Sequence, residues 1–385
     1  MSNNPVYLDN AATSFPKPES VYDAVTKAMR EECGNPGRSG HRLSLSAGRI
    51  VNEARLLCAR LFNAESPERI IFTSNTTTAL NIGIKGIVKP GDHVITSMLE
   101  HNSVSRPLHH LELAGVEITK LPTDLYKGLS AEDVMRSIKP NTKLVVCTHV
   151  SNVTGTVNDI ASIGSLCRDK QIVFLVDAAQ SAGGRRIDVR SMNIDMLAFP
   201  GHKGLFGPQG TGGIYIKPGL EPETIIQGGT GSSSESLTQP EAMPEKFESG
   251  TPNTPGLAGL SAGIRFVSEV GIEEIERREK MLACRLIDGI AAINGIRIIG
   301  PGKNQDRASV VSVCIDKTPP ADAALMLDSA FNIAVRSGIH CASDAHRSAG
   351  TLETGGTVRI SPNYMNTFED IDFCLNALEF CAKGF

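Results

Sequence analysis

The sequence predicts an α/β fold, in which a mostly parallel sheet lies between layers of helices and a smaller α+β unit follows at the C-terminal end. Two observations lead to this prediction. Short apolar runs alternate with helical segments through the first two thirds of the chain, which is typical of a parallel sheet covered on both faces. The runs also end in polar residues, as strands do where an open α/β sheet binds a ligand.

Length and composition indicate a large cytoplasmic protein with two domains. The chain has 385 residues, 41% of them hydrophobic, which is enough for a large core. A net charge of −4 gives no basic surface for nucleic acid, and no apolar run approaches the ~18 residues of a membrane span. The nine cysteines have no paired or zinc-like spacing, and the N-terminus lacks a signal-peptide pattern, so we expect reduced thiols in the cytoplasm.

The predicted elements follow in chain order. Residues 6–8 form a short extended arm, and helices are expected at 19–31 and 43–62. The strands of the large sheet are predicted at 69–72, 94–96, 144–148, 172–176 and 196–199, with an antiparallel strand at 213–217. Residues 228–255, rich in Gly, Ser, Thr and Pro, form a long functional loop. The smaller unit is predicted to contain a helix over 256–295 broken near Gly271, strands at 309–315 and 357–361, and helices at 321–331 and 368–382.

Polar residues of useful kinds stand at the ends of the predicted strands. Thr76 and Thr77 begin a helix and offer donors to a phosphate, although simple N-capping explains them equally well. Asp177 follows the most apolar run, and a buried carboxylate needs a cationic partner or strong donors. Lys203 lies in a Gly-rich turn after the next strand. A phosphate, a protonated ring nitrogen and a lysine able to bind an aldehyde together describe pyridoxal phosphate (PLP).

Six motifs surround these residues, in one order along essentially the whole chain. They are Tyr7-Leu-Asp-Asn-Ala-Ala-Thr13, His149-Val-Ser-Asn-Val-Thr-Gly155, Asp177-Ala-Ala-Gln180, Gly201-His202-Lys203, Gly207-Pro-Gln-Gly210 and Phe247-Glu-Ser-Gly-Thr-Pro-Asn-Thr254. As a set they resemble the class V aminotransferase-like enzymes of PLP fold type I. The resemblance implies a seven-stranded sheet in a PLP-binding domain over residues 1–256, whose arm 1–16 packs on a small domain over 257–385.

The resemblance implies a role for each residue around the cofactor ring. Lys203 would attach the cofactor covalently, and Asp177 would pair with the pyridine nitrogen. Gln180 would bond the phenolic oxygen of the ring. His101 would stack on the ring face and help to move protons, and Asn152 would lie beside the ring and contact substrate or cofactor oxygen.

The resemblance also implies a set of phosphate contacts and a homodimer. Thr76, Thr77 and His202 would bind the phosphate of their own subunit, and Thr251 would reach the phosphate of the partner subunit. Pro200 departs from the family pattern, because relatives often carry a hydroxyl there that bonds the phosphate. Proline has neither a hydroxyl nor an N–H group, so one phosphate contact is not expected.

The segment Val335-Arg-Ser-Gly-Ile-His-Cys-Ala-Ser343 resembles the mobile loop of cysteine desulfurases, with Cys341 as the nucleophile. Packing is the usual role of a single cysteine, but this segment is polar and has no apolar periodicity. Arg336 and Arg347 are near in sequence, and positive charge favours a thiolate. A metal site is the competing interpretation of His340, Cys341, Asp344 and His346, yet their spacing matches no common zinc pattern, and no metal is expected.

The resemblance implies a reaction in which L-cysteine becomes L-alanine and its sulfur stays on Cys341 as a persulfide for a sulfur-acceptor protein. Arg359 would bind the substrate carboxylate, because a guanidinium and a carboxylate pair in bidentate fashion. Arg38 and His41 lie in a loop that usually covers the site and are weaker candidates for substrate contacts. The 15 residues from Ser337 to Thr351 are short, as in the desulfurase group that includes selenocysteine lyases, and Ser343 stands where relatives commonly have proline.

Five other functions stay open at this point. Selenocysteine lyase and cysteine sulfinate desulfinase use closely similar chemistry. A class V aminotransferase, which would need a keto acid, and an epimerase on the same fold are more distant alternatives, and neither would need Cys341. A non-catalytic protein that keeps the fold to bind a partner is the remaining alternative. The sulfur acceptor, and the pathway that it serves, do not follow from the sequence.

Overall fold

The computed structural model describes residues 5–37, 39–232 and 235–383 and contains eleven α-helices and thirteen strands within these ranges. The strands are β1 (Val6–Tyr7), β2 (Ile70–Thr73), β3 (His93–Ser97), β4 (Glu117–Leu121), β5 (Thr142–Thr148), β6 (Val173–Asp177), β7 (Met196–Pro200), β8 (Gly212–Ile216), β9 (Ile296–Ile299), β10 (Val311–Ile315), β11 (Ile333–Ala334), β12 (Arg336–Gly338) and β13 (Thr357–Ile360). The helices are α1 (Glu19–Lys27), α2 (Arg42–Phe62), α3 (Thr76–Lys85), α4 (Asn102–Leu113), α5 (Ala131–Arg136), α6 (Ile160–Asp169), α7 (Thr254–Val270), α8 (Ile272–Ala291), α9 (Pro320–Phe331), α10 (Ser343–Ser348) and α11 (Phe368–Lys383).

The large sheet has seven strands in the order β2-β8-β7-β6-β5-β3-β4. Strands β7, β6, β5, β3 and β4 run parallel to one another, and β8 is antiparallel to both of its neighbours. The predicted mostly parallel sheet and the antiparallel strand at 213–217 are therefore confirmed. Strand β4 was not predicted, because it is an edge strand in which only Leu121 is buried, so it has no apolar run to detect.

Both faces of the large sheet are buried, which explains why its strands are continuous apolar runs. In β5, Val145 and Cys147 pack in a core with α2, α5, α6 and α7. Leu144 and Val146 pack in a separate core with α3 and α4 on the other face. Side chains alternate between the faces of a strand, and each fully buried aliphatic side chain contributes about 1.5–3 kcal/mol to folding.

A second unit is built on the antiparallel sheet β12-β13-β10-β9, covered by α8, α9 and α11. The N-terminal arm joins this unit, because β1 pairs in parallel with β11 and Leu8 is part of the core of the unit. Helix α7 instead packs on the large sheet through Leu257, Leu260 and Ile264. The domain division between residues 256 and 257 stays a prediction.

Two helical segments differ from the prediction, and a third agrees with it. The predicted helix 19–31 is α-helical only to Lys27 and continues as a π-helix over Ala28–Glu32. The predicted break near Gly271 is present, with φ of 90° at the glycine that separates α7 from α8. Helix α10 directly follows the Cys341 segment and was not predicted. Among the described residues, no helix combines the length and apolarity required to cross a membrane.

Two helical glycines provide a test of the packing around the large sheet. A Cβ atom at Gly164 in α6 would lie 2.0 Å from the carbonyl oxygen of Met192, whereas a Cβ atom at Gly48 in α2 would meet nothing within 4 Å. We expect Gly164→Ala to destabilise the fold by at least about 1–3 kcal/mol, because backbone must move. Gly48→Ala should be neutral or stabilise by up to about 1 kcal/mol. Thermal unfolding measures both, and equal effects would contradict the packing described.

Candidate active site

The polar residues predicted from strand ends gather at one edge of the large sheet. Asp177 is the last residue of β6, and Lys203 lies in the turn that follows the neighbouring strand β7. His101 precedes α4, at the edge where β3 ends. Because the parallel strands end at the same edge, these three side chains share one crevice, and the charge of Lys203 acts on both other groups.

Asp177 is a buried acid, with 2% of its surface exposed. Its Oδ1 accepts a hydrogen bond from the backbone N–H of Ala179 at 2.9 Å. Burial raises the pKa of Asp177 to about 6, although this hydrogen bond and the charge of Lys203 oppose the shift. Such a carboxyl group gains from a cationic partner, and a protonated pyridine nitrogen is one.

Lys203 is a basic group whose amine is easily deprotonated. Burial and, secondly, the neighbouring guanidinium of Arg359 lower the pKa of Lys203 to about 8, while Asp177 opposes the shift. Near neutral pH a useful fraction of the side chain is therefore the neutral amine, the form that attacks an aldehyde or accepts a proton.

His101 is held as a neutral imidazole. It is the N-cap residue of α4, and its Nδ1 accepts a hydrogen bond from the backbone N–H of Ser103 at 3.1 Å. Burial, followed by the charges of Lys203 and Arg336, lowers the pKa of His101 to about 4. A neutral ring with Nδ1 occupied leaves Nε2 to carry the proton, which fits a residue that packs against a flat ligand.

The start of α3 offers donors to an anion. Asn75, rather than either threonine, caps this helix, and its Oδ1 accepts from the backbone N–H of Thr78 at 2.9 Å. The simple capping role considered for Thr76 and Thr77 is therefore taken by Asn75. Thr76 is buried, and the Oγ1 of Thr77 lies 2.8 Å from the Oγ of Ser103. The first-turn N–H groups and the macrodipole of the helix favour a phosphate there.

His202 provides an independent test of whether a cofactor fits this crevice. Its Nδ1 is buried and has no hydrogen-bond partner in the described part of the chain. Burial, followed by the charges of Lys203 and Lys17, lowers the pKa of His202 to about 4. A buried polar atom without a partner is unfavourable, and a ligand oxygen would satisfy it. The residues present therefore fit a phosphate-bearing cofactor beside Lys203.

Gln180 and the N-terminal arm form the wall next to Asp177. The Nε2 of Gln180 donates to the carbonyl oxygen of Ala11 at 2.9 Å. The side chains of Thr13 and Ser14 donate to the carbonyl oxygen of His202. The arm therefore forms part of the site as well as part of the second unit. The bond between Gln180 and Ala11 uses the side-chain nitrogen of Gln180 and not its side-chain oxygen.

Arg359 joins three parts of the chain at the site. It is 1% exposed on β13, and its Nη2 contacts the Oδ1 of Asp9 at 2.8 Å. Its Nη1 donates to the carbonyl oxygen of Asn152 at 3.1 Å, and its Nε is buried without a partner among the described residues. Burial lowers the pKa of Arg359, and Asp9 opposes this shift. A guanidinium with an unused donor suits an incoming carboxylate.

Cys341 is exposed and is held over this crevice by its backbone. The N–H of Asn102, next to His101, donates to the carbonyl oxygen of Cys341 at 2.7 Å. The Nδ2 of Asn152 donates to the preceding carbonyl, of His340, at 2.7 Å. His340 and Cys341 both have left-handed backbones, with φ of 51° and 57°, a conformation that costs free energy and needs such restraints. The guanidinium of Arg336 lies 3.6 Å from the Sγ of Cys341.

The residues after Cys341 are fixed by other contacts. The carboxylate of Asp344 in α10 pairs with Lys120 of β4 at 2.8 Å and also with Arg347. The ring of His340 contacts Thr357, and the ring of His346 contacts Thr351. No cluster of His, Cys, Asp and Glu in the described ranges is arranged to hold a metal ion.

Two predicted residues are not brought to this crevice by the structure, and a third lies outside the described residues. Thr251 is exposed on the wall of a groove of about 890 Å³, whose lining does not include Lys203. His41 is the N-cap residue of α2, where its Nδ1 accepts from the N–H of Ser44 at 3.3 Å. Arg38 lies outside the described residues. Their predicted roles stay predictions.

Sequence reasoning missed the anchoring residues of the site. Asp9 was visible only as part of the first motif, and its pairing with Arg359 spans almost the whole chain. Glu100 is 1% exposed, and its carboxyl group accepts the N–H of Thr148 at 3.0 and 3.1 Å, which fixes the residue before His101 against β5. Burial raises the pKa of Glu100 to about 8. The signal in the sequence was an acid next to a candidate histidine.

The lowered pKa of Lys203 can be measured without any reaction. In the protein freed of bound cofactor, reductive methylation of Lys203 should rise with pH and be half-maximal near pH 8, because only the neutral amine reacts. Lys89 is an internal control, since its bond to Glu223 raises its pKa above the ordinary value for lysine. Mass spectrometry of the peptides gives both curves. If Lys203 and Lys89 gave the same dependence of labelling on pH, the crevice would not lower the pKa of Lys203.

Comparisons with known proteins identify the family of this chain. A family model described as Aminotransferase class-V matches residues 6–373. A probable cysteine desulfurase of Methanothermobacter thermautotrophicus is 38% identical over 97% of this chain and 94% of its own length. The apo structure of a cysteine desulfurase from Thermococcus onnurineus superposes with a TM-score of 0.92 at 35% identity, covering 99% of this chain and 95% of that one.

A second solved structure extends the comparison. The cysteine desulfurase CsdA of Escherichia coli, in an S-sulfonic acid form, gives a TM-score of 0.88 at 30% identity and covers 98% of this chain and 95% of its own. The fold, the site and these likenesses lead to one assignment: the chain belongs to the class V aminotransferase family of PLP-dependent enzymes.

Proposed function

We propose that this protein is a PLP-dependent cysteine desulfurase, which converts L-cysteine to L-alanine and keeps the sulfur on Cys341 as a persulfide. The observation that carries the proposal is the bond from the N–H of Asn102 to the carbonyl oxygen of Cys341, at 2.7 Å. It holds an exposed thiol beside His101, over the crevice that contains Lys203. The relatives named as cysteine desulfurases, 35–38% identical to this chain over nearly its whole length, support the same function.

The residues of the crevice are suited to hold PLP, on which class V aminotransferases depend in general. Lys203 would attach it, Asp177 would pair with its ring nitrogen, and Gln180 would lie near its phenolic oxygen. Thr76, Thr77 and His202 would take the phosphate. When bound, PLP supplies an electron sink for the electrons released at the substrate Cα. Asp177 maintains that property because it favours a protonated ring nitrogen.

Substrate binding falls to Arg359 and Asn152. The guanidinium of Arg359 offers its free Nε to the substrate carboxylate, and its bonds to Asp9 and Asn152 fix the direction of that donor. Asn152 positions both Arg359 and the Cys341 segment. Its side-chain amide donates to the carbonyl oxygen of His340, and its backbone carbonyl accepts a hydrogen bond from Arg359. The carboxylate and the nucleophile are therefore positioned by one residue.

Lys203 and Cys341 divide the chemistry. The neutral amine of Lys203 accepts the proton from the substrate Cα, which its lowered pKa permits near neutral pH. The sulfur of Cys341, with Arg336 at 3.6 Å, attacks the substrate sulfur as a thiolate. The balance is one L-cysteine and the Cys341 thiol giving one L-alanine and the Cys341 persulfide.

Three further features belong to this proposal. The protein acts as a homodimer in which Thr251 reaches the site of the partner subunit; the position of Thr251 on a large open groove supports this role. An acceptor protein comes to the crevice to take the persulfide sulfur, because the Cys341 segment is too short and too restrained to carry Cys341 away from it. The protein works in the cytoplasm, in agreement with nine free cysteines.

Replacement of Cys341 separates this function from its alternatives. In Cys341→Ala, alanine formation from L-cysteine should fall by about 10²-fold or more, because no thiolate accepts the sulfur. Formation of alanine from L-selenocysteine should largely persist, since selenide is the better leaving group. Alanine is measured after supplying L-cysteine, L-selenocysteine and L-cysteine sulfinate in turn.

The matched control is Cys33→Ala, which removes the other exposed thiol and should leave all three rates unchanged. Full activity of Cys341→Ala on L-cysteine would refute the role of the nucleophile. A wild-type protein that acts only on selenocysteine would instead be a selenocysteine lyase, and one that needs a keto acid would be an aminotransferase.

A further inference from the structure

A small cavity connects the site to a carboxyl group that the reaction described above does not use. The cavity has a volume of about 50 Å³, and its wall includes both Lys203 and Glu279. Glu279 belongs to α8 in the second unit, whereas Lys203 belongs to the large sheet. The cavity therefore spans the junction between the two units, on a side of Lys203 that includes neither His101 nor Cys341 in its lining.

The wall of this cavity has the properties of a water site. Its lining is rich in polar side chains: Asn10, Ser14, Gln180, Ser309, Ser361 and Asn363. Asn363 is 6% exposed, and its Nδ2 is buried with no hydrogen-bond partner among the residues that the structure describes. A water molecule needs about 10–15 Å³ of such space and two to four polar partners. The volume is sufficient for more than one, and Asn363 supplies an unused donor.

Glu279 is able to exchange a proton at the far side of the cavity. Its Oε2 accepts a hydrogen bond from the Oγ of Ser309 at 3.2 Å, and the residue keeps some exposure to solvent. Burial, with a smaller contribution from the charge of Glu276, raises the pKa of Glu279 to about 7, while Ser309, the backbone of Tyr364 and the charge of Arg185 oppose the shift. A carboxyl group in this range gains and loses protons readily near neutral pH.

We propose that the cavity holds water that links Lys203 to Glu279, and that Glu279 is the group through which Lys203 exchanges protons with solvent. The inference rests on the proposed function, in which Lys203 takes one proton from the substrate Cα and returns one. The hydrogen of the thiol ends on Cβ of alanine, so the overall reaction neither releases nor consumes a proton. The link replaces the hydrogen that Lys203 took from the substrate Cα with a hydrogen from solvent. Glu279 acts as a positioning residue, since it does not touch the substrate.

The identity of the hydrogen returned to Cα is the decisive measurement. Wild-type holoenzyme turning over protiated L-cysteine in D₂O should form alanine with deuterium at Cα, because Lys203 exchanges with solvent before it returns a proton. In Glu279→Gln, which cannot relay a proton, the fraction of alanine that keeps protium at Cα should rise several-fold. The KM for L-cysteine should stay within about twofold, because substrate binding is unchanged.

Glu276→Gln is the matched control, because Glu276 lies on the same helix and contacts Arg185 at 3.4 Å but does not line the cavity. It should keep the wild-type isotope pattern. Gly184→Ala tests the link without changing Glu279 itself. The added Cβ atom would lie 3.5 Å from the Oε2 of Glu279, so it would narrow the cavity without a clash. It should raise protium retention even if Glu279→Gln fails to fold. Wild-type retention in both variants would overturn the relay.

A crystal structure of the wild-type protein gives a readout that does not depend on turnover. It should show ordered water bonded to the Nδ2 of Asn363 and continuous in hydrogen bonds between Lys203 and Glu279. A dry cavity would overturn the proposal. These results are distinct from failure of the proposed function, in which the wild-type protein forms no alanine from L-cysteine whatever fills the cavity.

Discussion

The buried guanidinium of Arg359 is the interaction on which the site depends. It lies on the sheet of the second unit, pairs with Asp9 of the N-terminal arm and donates to Asn152 of the large unit. A charge in this environment must be paired, and loss of one partner of a buried pair costs about 3–5 kcal/mol. The need to satisfy one cation therefore brings three distant parts of the chain together around Lys203.

The same geometry explains how one crevice separates its tasks. On the large sheet, burial raises the pKa of Asp177 and lowers the pKa of Lys203, so both groups accept and give protons near neutral pH. Burial also lowers the pKa of His101 to about 4, which keeps its ring neutral. Cys341 comes from the other unit, and its segment is anchored by hydrogen bonds from Asn102 and Asn152 and by the buried side chain of Ala342. Chemistry at the substrate Cα and chemistry at sulfur thus reside on different units that Arg359 holds in register.

The sequence was sufficient for the large sheet and for the residues at its edge, because buried parallel strands are continuous apolar runs and their polar ends share one edge. Strand β4 escaped prediction because its side chains are mostly exposed, and α10 because its six residues carry no apolar periodicity. The sequence could not assign roles to Asp9 and Glu279. Asp9 acts through its pairing with Arg359, hundreds of residues away, and Glu279 acts through a cavity that only the folded chain forms. The roles of Thr251 and His41 depend on a partner subunit or substrate and stay predictions.

In the proposed reaction, Cys341 receives sulfur from a substrate bound at Lys203 and Arg359. The direct measurement is peptide mass mapping after L-cysteine labelled with a heavy sulfur isotope is added to the holoenzyme without acceptor or reductant. We expect one labelled sulfur on the peptide that contains Cys341 for each alanine formed in the first turnover. Alanine formed with the label on another cysteine, or with free sulfide and an unmodified Cys341, would contradict it.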